Sequence, residues 1–236
     1  MNTNEAIVLA GGLGTRLQCA LPDIPKCMAP VKGKPFLAYV LDYLINQKIS
    51  KVVLSVGYRK DHIISYFGNI YKSINIDYAI EEEPLGTGGA LKLAFGYCTQ
   101  DQVFVINGDT YFRPELQAME KLHIQSKADI TIAVKYLRET GRYGLVQFDK
   151  DGRITDFREK EPLSGSGWIN GGIYLIRKEI FDHFPKQIFS LENDVFKVSC
   201  SSLKMQAFHT DSDFLDMGIP EDYVKAQIMI KTQGRI

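Results

Sequence analysis

The chain has 236 residues, 45% of them apolar and 24% charged, with 28 basic residues balancing 28 acidic ones. That length carries one large α/β domain or two small ones, and the charge balance excludes the broad cationic face of a nucleic-acid binder while allowing a few cations around a small anion. The apolar start at residues 6–10 is too short for a secretory signal, no apolar run nears the roughly 18 residues that span a membrane, and Cys19, Cys27, Cys98 and Cys200 form no C-x-x-C pair, so a cytoplasmic protein without zinc or disulfides is expected.

Residues 5–10 read as a buried strand that runs into a glycine-rich loop. Residues 36–47 have apolar side chains at helical spacing, 51–56 form a β-branched strand, 61–67 a short helix, 74–80 a strand, 87–95 a helix and 102–106 a strand. A helix over 114–127 opens on Pro114. This alternation predicts an α/β fold with a mostly parallel sheet covered by helices on both faces. The pattern then changes: strands over 130–136 and 144–148, a turn at Asp149-Lys150-Asp151-Gly152 into a strand over 153–157, and a strand over 168–176. Helices over 178–184 and 191–200, a strand over 204–208 and a last helix from Pro220 complete the chain. No linker or repeat interrupts it. The expectation is a single domain over 1–236, with a nucleotide-binding half at about 1–128 and a second-substrate half at about 129–236.

Ligands of open α/β sheets bind beyond the carboxyl ends of the strands, and the unusual residues lie there. Leu9-Ala10-Gly11-Gly12-Leu13-Gly14-Thr15-Arg16-Leu17 follows the first strand. Its glycines allow backbone N–H groups to approach an anion, and Arg16 adds a forked cation. No Gly-Lys-Ser/Thr closes the loop, and Leu17 stands where a dinucleotide fingerprint needs its third glycine. Lys26 follows Pro25 in a stretch stiffened by Pro22, Pro25, Pro30 and Pro35. The strand over 102–106 ends in Asn107-Gly108-Asp109, and Asp216 precedes Gly218 after another apolar run. Two such carboxylates suit Mg²⁺, which takes few protein ligands and completes its shell with water and phosphate. Glu81-Glu82-Glu83 leads into Gly86-Thr87-Gly88-Gly89, an acidic, amide-free segment suited to the N1–H and N2–H donors of guanine.

The Gly-Gly-x-Gly-Thr-Arg-Leu and Pro-Lys pairing resembles the signature of sugar-1-phosphate nucleotidyltransferases, and the likeness runs from Ala6 to Tyr223. The resemblance implies a Rossmann-like nucleotidyltransferase fold, Mg²⁺ dependence and a place in nucleotide-sugar biosynthesis. It implies catalytic contacts from Arg16 and Lys26, and metal binding by Asp109 and Asp216. Nucleotide contacts would come from Leu9, Gly11, Gly12, Gly14, Thr15, Glu81, Gly86, Thr87 and Gly108. Glu159, Lys160, Asn170, Gly171 and Glu192 would contact the sugar phosphate. Within the family, residues 24–31, 36–44, 82–91, 107–112, 141–148 and 190–196 resemble those of bacterial D-glycero-D-manno-heptose 1-phosphate guanylyltransferases, which implies GTP and that heptose 1-phosphate as partners, with no nucleic acid or membrane. Homo-oligomerisation stays open. So do mannose 1-phosphate as the sugar and UTP or CTP as the nucleotide. The other classes are a glycosyltransferase, for which Asp211-Ser212-Asp213 has the spacing, and a non-catalytic regulatory subunit.

Overall fold

The computed structural model describes residues 2–12, 24–158, 165–182 and 184–230. Strand β1 (Glu5–Leu9) leads to a small hairpin, β2 (Pro30–Val31) and β3 (Lys34–Pro35), and then α1 (Phe36–Asn46). There follow β4 (Lys51–Val56), α2 (Lys60–Phe67), β5 (Ile70–Tyr71), β6 (Ile74–Ile80), α3 (Gly86–Phe95), β7 (Gln102–Asn107), β8 (Thr110–Phe112) and α4 (Leu116–Ser126). The remainder is β9 (Ile130–Leu137), β10 (Leu145–Phe148), β11 (Ile154–Arg158), β12 (Gly167–Arg177), α5 (Lys197–Ser199), β13 (Met205–His209), β14 (Phe214–Asp216) and α6 (Pro220–Met229).

Among the described residues one ten-stranded sheet carries the fold, in the order β11-β10-β12-β7-β1-β4-β6-β5, with β9 beside β12 and β13 beside β9. Strands β7, β1, β4 and β6 are mutually parallel, as the βαβ alternation predicts. Beyond β7 the direction reverses: β12 is antiparallel to it from Ile173 to Arg177. The first part of β12 instead meets β10, where Ile169 faces Leu145.

The central strands read as unbroken apolar runs because both faces are covered. Ala6 and Val8 face one core with Val52, Leu54, Phe104 and Ile106, against α1, α4 and α6. Ile7, Val53, Val103 and Val105 face the other, against Leu91, Ala94 and Phe95 of α3. Each such buried aliphatic side chain contributes about 1.5–3 kcal/mol.

Three sequence expectations need correction. The helix expected from Pro114 begins at Leu116; Pro114 stays outside, with its carbonyl accepting the Tyr43 hydroxyl at 2.6 Å. The helix expected over 178–184 is a single 3₁₀ turn, Lys178–Phe181. That expected over 191–200 is a π-helical turn, Leu191–Phe196, running into α5. At its start the Leu191 N–H, which has no acceptor within the turn, bonds to the Thr87 hydroxyl on α3.

Candidate active site

The carboxyl ends of β1, β4 and β7 surround a cavity of about 640 Å³. Leu9, Gly11, Gly12, Lys26, Glu81, Gly86, Thr87, Gly108 and Asp109 line it, so most of the expected nucleotide-side residues within the described segments meet there. Gly14, Thr15, Arg16, Glu159 and Lys160 lie outside the described residues.

Asp109 follows β7 through Gly108, whose N–H bonds to the Leu9 carbonyl at 2.9 Å. A Cβ on Gly108 would come within 2.8 Å of that carbonyl oxygen, so only glycine lets β7 close this tightly on β1. The chain then turns into β8, which pairs with β14 and sets Asp216 opposite Thr110. The Met217 N–H bonds back to the Asp109 carbonyl at 2.9 Å. This two-stranded ribbon brings together two carboxylates that are remote in sequence.

Lys26 enters from a 3₁₀ turn, Lys26–Met28, anchored by buried Cys27 and Met28. Its Nζ is 2.6 Å from Asp109 Oδ2 and 3.5 Å from Asp216 Oδ1. Burial works to lower the Lys26 pKa, but the charges of Asp109 and Asp216 and the hydrogen bonds to both outweigh it and raise it. Burial raises the Asp216 pKa, and repulsion from Asp109 adds to it against the pull of Lys26 and Arg142.

Glu81 lies at the other end of the cavity. Its Oε1 accepts the Ser55 hydroxyl at 3.2 Å and its Oε2 accepts the Leu85 N–H at 3.2 Å. A Cβ on Gly11 would stand 2.5 Å from Oε1, so the glycine at the end of β1 makes room for this carboxylate. The glycines of α3 have another reason. A Cβ on Gly88 would meet the Phe189 ring at 2.2 Å, and one on Gly89 the Gln187 carbonyl oxygen at 2.3 Å. Gly86 has φ +72°, and a Cβ there would meet the Phe189 carbonyl oxygen at 2.5 Å. Gly88 and Gly89 admit a crossing segment, and Gly86 borders both that segment and the cavity.

Thr87 and Glu192 are brought together: the Thr87 hydroxyl donates to Glu192 Oε2 at 2.7 Å, and the Ser190 hydroxyl to the same oxygen at 3.0 Å. The Asn170 amide is engaged internally, donating to the Tyr174 hydroxyl at 2.9 Å and accepting the Gly172 N–H at 3.0 Å. Gly171 is buried where a Cβ would meet the Phe112 ring at 2.5 Å. Asp211 and Asp213 are exposed and do not line the cavity. Sequence reasoning missed Ser55, Phe189, Arg142 and Asp222. The last two had a signal, a Gly-Arg-Tyr-Gly turn and an acid in a first helical turn, but neither spacing reveals that they pair.

A cavity at parallel strand ends, an acidic pair bridged by lysine at one end and a carboxylate at the other define a nucleotidyltransferase, and the chain belongs to the nucleotidyl transferase family, whose model matches residues 5–233. It is 47% identical to the D-glycero-α-D-manno-heptose 1-phosphate guanylyltransferase of Aneurinibacillus thermoaerophilus, over 94% of this chain and 96% of that protein. Identity to the enzyme of the same name from Campylobacter jejuni is 41%, over 93% and 96%. The crystal structure of HddC from Yersinia pseudotuberculosis complexed with GMP-PN superposes with a TM-score of 0.86 at 38% identity, covering 97% of this chain and all of that one. The family and the fold read from the sequence are borne out.

Proposed function

We propose that this protein transfers a guanylyl group from GTP to D-glycero-D-manno-heptose 1-phosphate, giving the GDP-sugar and pyrophosphate. The observation that carries the reading is the Asp109–Lys26–Asp216 constellation at the rim of a cavity whose far end holds Glu81. The names of the relatives support the choice of base and sugar.

The phosphate of the sugar is itself the nucleophile. One of its oxygens attacks the α-phosphorus of GTP in line, the new P–O bond forms, and the bond to the bridging oxygen breaks as pyrophosphate leaves. No general base is required, so the protein's task is to gather several negative charges in the right geometry. Lys26 neutralises phosphate oxygens in that assembly, joined by Arg16 and Lys160. Gly11, Gly12, Gly14 and Thr15 cradle the phosphates, with Leu9, Gly86, Thr87 and Gly108 walling the nucleotide. The Glu81 carboxylate accepts the guanine N1–H and N2–H, which a uracil or cytosine cannot reproduce. Glu159, Asn170, Gly171 and Glu192 belong to the sugar half.

Among the described residues no group of three or more potential ligands stands together. Asp109 and Asp216 nevertheless fit a hard divalent cation such as Mg²⁺: both donors are carboxylate oxygens, and each carboxylate already faces a cationic group. Held by this pair, the ion would offset phosphate charge and orient the reacting groups. Among the described residues Cys27, Cys98 and Cys200 are free thiols, which suits the reducing cytoplasm.

The test is a matrix of the four nucleoside triphosphates against heptose, mannose, glucose and N-acetylglucosamine 1-phosphates, scored by kcat/KM from pyrophosphate release. GTP with the heptose 1-phosphate should lead. Best turnover with another nucleotide would overturn the base assignment, and preference for mannose 1-phosphate the sugar assignment. Wild-type rates in Asp109→Asn and Asp216→Asn would remove the metal assignment.

A further inference from the structure

Asp222 lies in the first turn of α6 and is only 3% exposed. A carboxylate buried this far persists only when it is paired and hydrogen-bonded. Its partner is Arg142, whose Nη2 donates to Asp222 Oδ2 from a turn 80 residues earlier; Lys225 Nζ stands 3.7 Å from the other oxygen. The Arg142 turn is itself pinned. The Tyr143 N–H bonds to the Thr140 carbonyl at 2.9 Å, and the Thr140 N–H and hydroxyl both bond to the Gly165 carbonyl, at 3.1 and 2.8 Å.

The same Nη2 is 3.8 Å from Asp216 Oδ2, while Lys26 faces Asp216 Oδ1. The two oxygens of Asp216 are therefore addressed by different cations. Gly218 leaves room at the contact: a Cβ there would lie 2.9 Å from Asp216 Oδ2 and 3.2 Å from Arg142 Nη2, so those side-chain ends would have to shift. An acid placed merely to favour the α6 dipole needs neither burial nor a partner from a distant turn, and Glu221 beside it already supplies that charge.

We infer that Asp222 and Arg142 form a positioning pair that fixes the Asp216 carboxylate for divalent-cation binding, with Asp222 setting the guanidinium and the guanidinium setting Asp216. The inference rests on the proposed reading of Asp109 and Asp216 as the metal pair. Outer partners of metal ligands act by holding the ligand's orientation, and losing one commonly costs roughly 10- to 100-fold in affinity or activity.

The experiment measures Mn²⁺ binding directly, from the EPR signal of the free ion, on wild type, Asp109→Asn, Arg142→Met, Arg142→Lys and Asp222→Asn, with a melting temperature for each. Arg142→Met should bind Mn²⁺ roughly 10- to 100-fold more weakly, and its turnover should recover at high Mn²⁺. Arg142→Lys should recover part of the affinity, since lysine keeps the charge but not the fork. Asp222→Asn should act in the same direction, and the Asp222→Asn/Arg142→Met double variant should be no worse than Arg142→Met alone. Unchanged or tighter Mn²⁺ binding in Arg142→Met, as a merely competing cation would give, overturns the inference. If Asp109→Asn also binds like wild type, the metal reading of the site falls instead. Should Asp222→Asn fail to fold, the two Arg142 variants decide the matter.

Discussion

Lys26 Nζ lies 2.6 Å from Asp109 Oδ2, so an ammonium group delivered by a proline-stiffened turn meets a carboxylate presented by the end of β7. Replacing it with methionine should lower kcat/KM by about 10²-fold or more, equivalent to about 2.7 kcal/mol of barrier. The variant leaves Asp109 and Asp216 facing each other without their shared cation, so its melting temperature should drop modestly without divalent ions and recover when they are added. Equal losses of stability and activity under both conditions would make Lys26 a structural residue.

The glycines that follow β1 and those in α3 divide into two kinds, and substitution should separate them. Gly88→Ala drives a methyl into the Phe189 ring, where the nearest ring carbons stand 2.2 Å from the new Cβ. Overpacking of this kind costs about 1–3 kcal/mol, seen in a urea melt. Gly12→Ala meets nothing within 4 Å. It should leave stability nearly unchanged while raising the KM for the nucleotide, if the backbone there faces phosphate. A Gly12→Ala variant with unchanged KM would take that residue out of the cradle.

Glu81→Gln tests the base end. The amide keeps the size of the side chain, and its carbonyl oxygen can still accept the Ser55 hydroxyl, but it presents a donor where guanine also presents donors. kcat/KM for GTP should fall about 10²-fold, with a smaller change for UTP. An equal fall for both nucleotides would assign Glu81 to holding the Leu85 turn instead of reading the base.

His123 predicts how stability varies with pH. Its ring is fully buried, Nδ1 is 2.8 Å from the Thr131 hydroxyl oxygen, and burial depresses its pKa to about 4, with Arg177 adding to the effect. The unfolded chain binds this proton near pH 6.5 and the folded chain near 4, so the neutral imidazole favours the fold above the unfolded value. That contribution should be lost as the pH falls through this window, by an amount on the order of 2 kcal/mol. Urea melts at pH 7 and pH 4.5 should show the loss in wild type and less of it in His123→Asn, whose amide can reach the Nδ1 position. Equal acid sensitivity in both proteins would point to other groups.

The parallel core was legible in the sequence because β1, β4 and β7 are buried on both faces and so read as unbroken apolar runs between turn residues. Asp109 and Lys26 were legible for a local reason, a carboxylate beside a glycine at a strand end and a lysine beside a proline. Phe189 was not, because its contacts with Gly86, Gly88 and Gly89 join segments far apart in the chain, and such glycines look the same whether they face a phosphate or a phenyl ring. The Thr87 hydroxyl that accepts the first N–H of the π-helical turn lies 104 residues earlier, so that contact also left no local mark. Arg142 and Asp222 each look like ordinary surface charges until the fold buries the second.

Strand β12 has a mechanical consequence. From Ile173 to Arg177 it is laddered to β7, and from Tyr174 to Ile176 to β9 on its other edge. Swinging the two sides of the molecule apart like the covers of a book would tear that ladder through the middle of the sheet. A motion that keeps this ladder intact carries the sheet on both sides of β12 as one body, so any opening falls to elements at its rim.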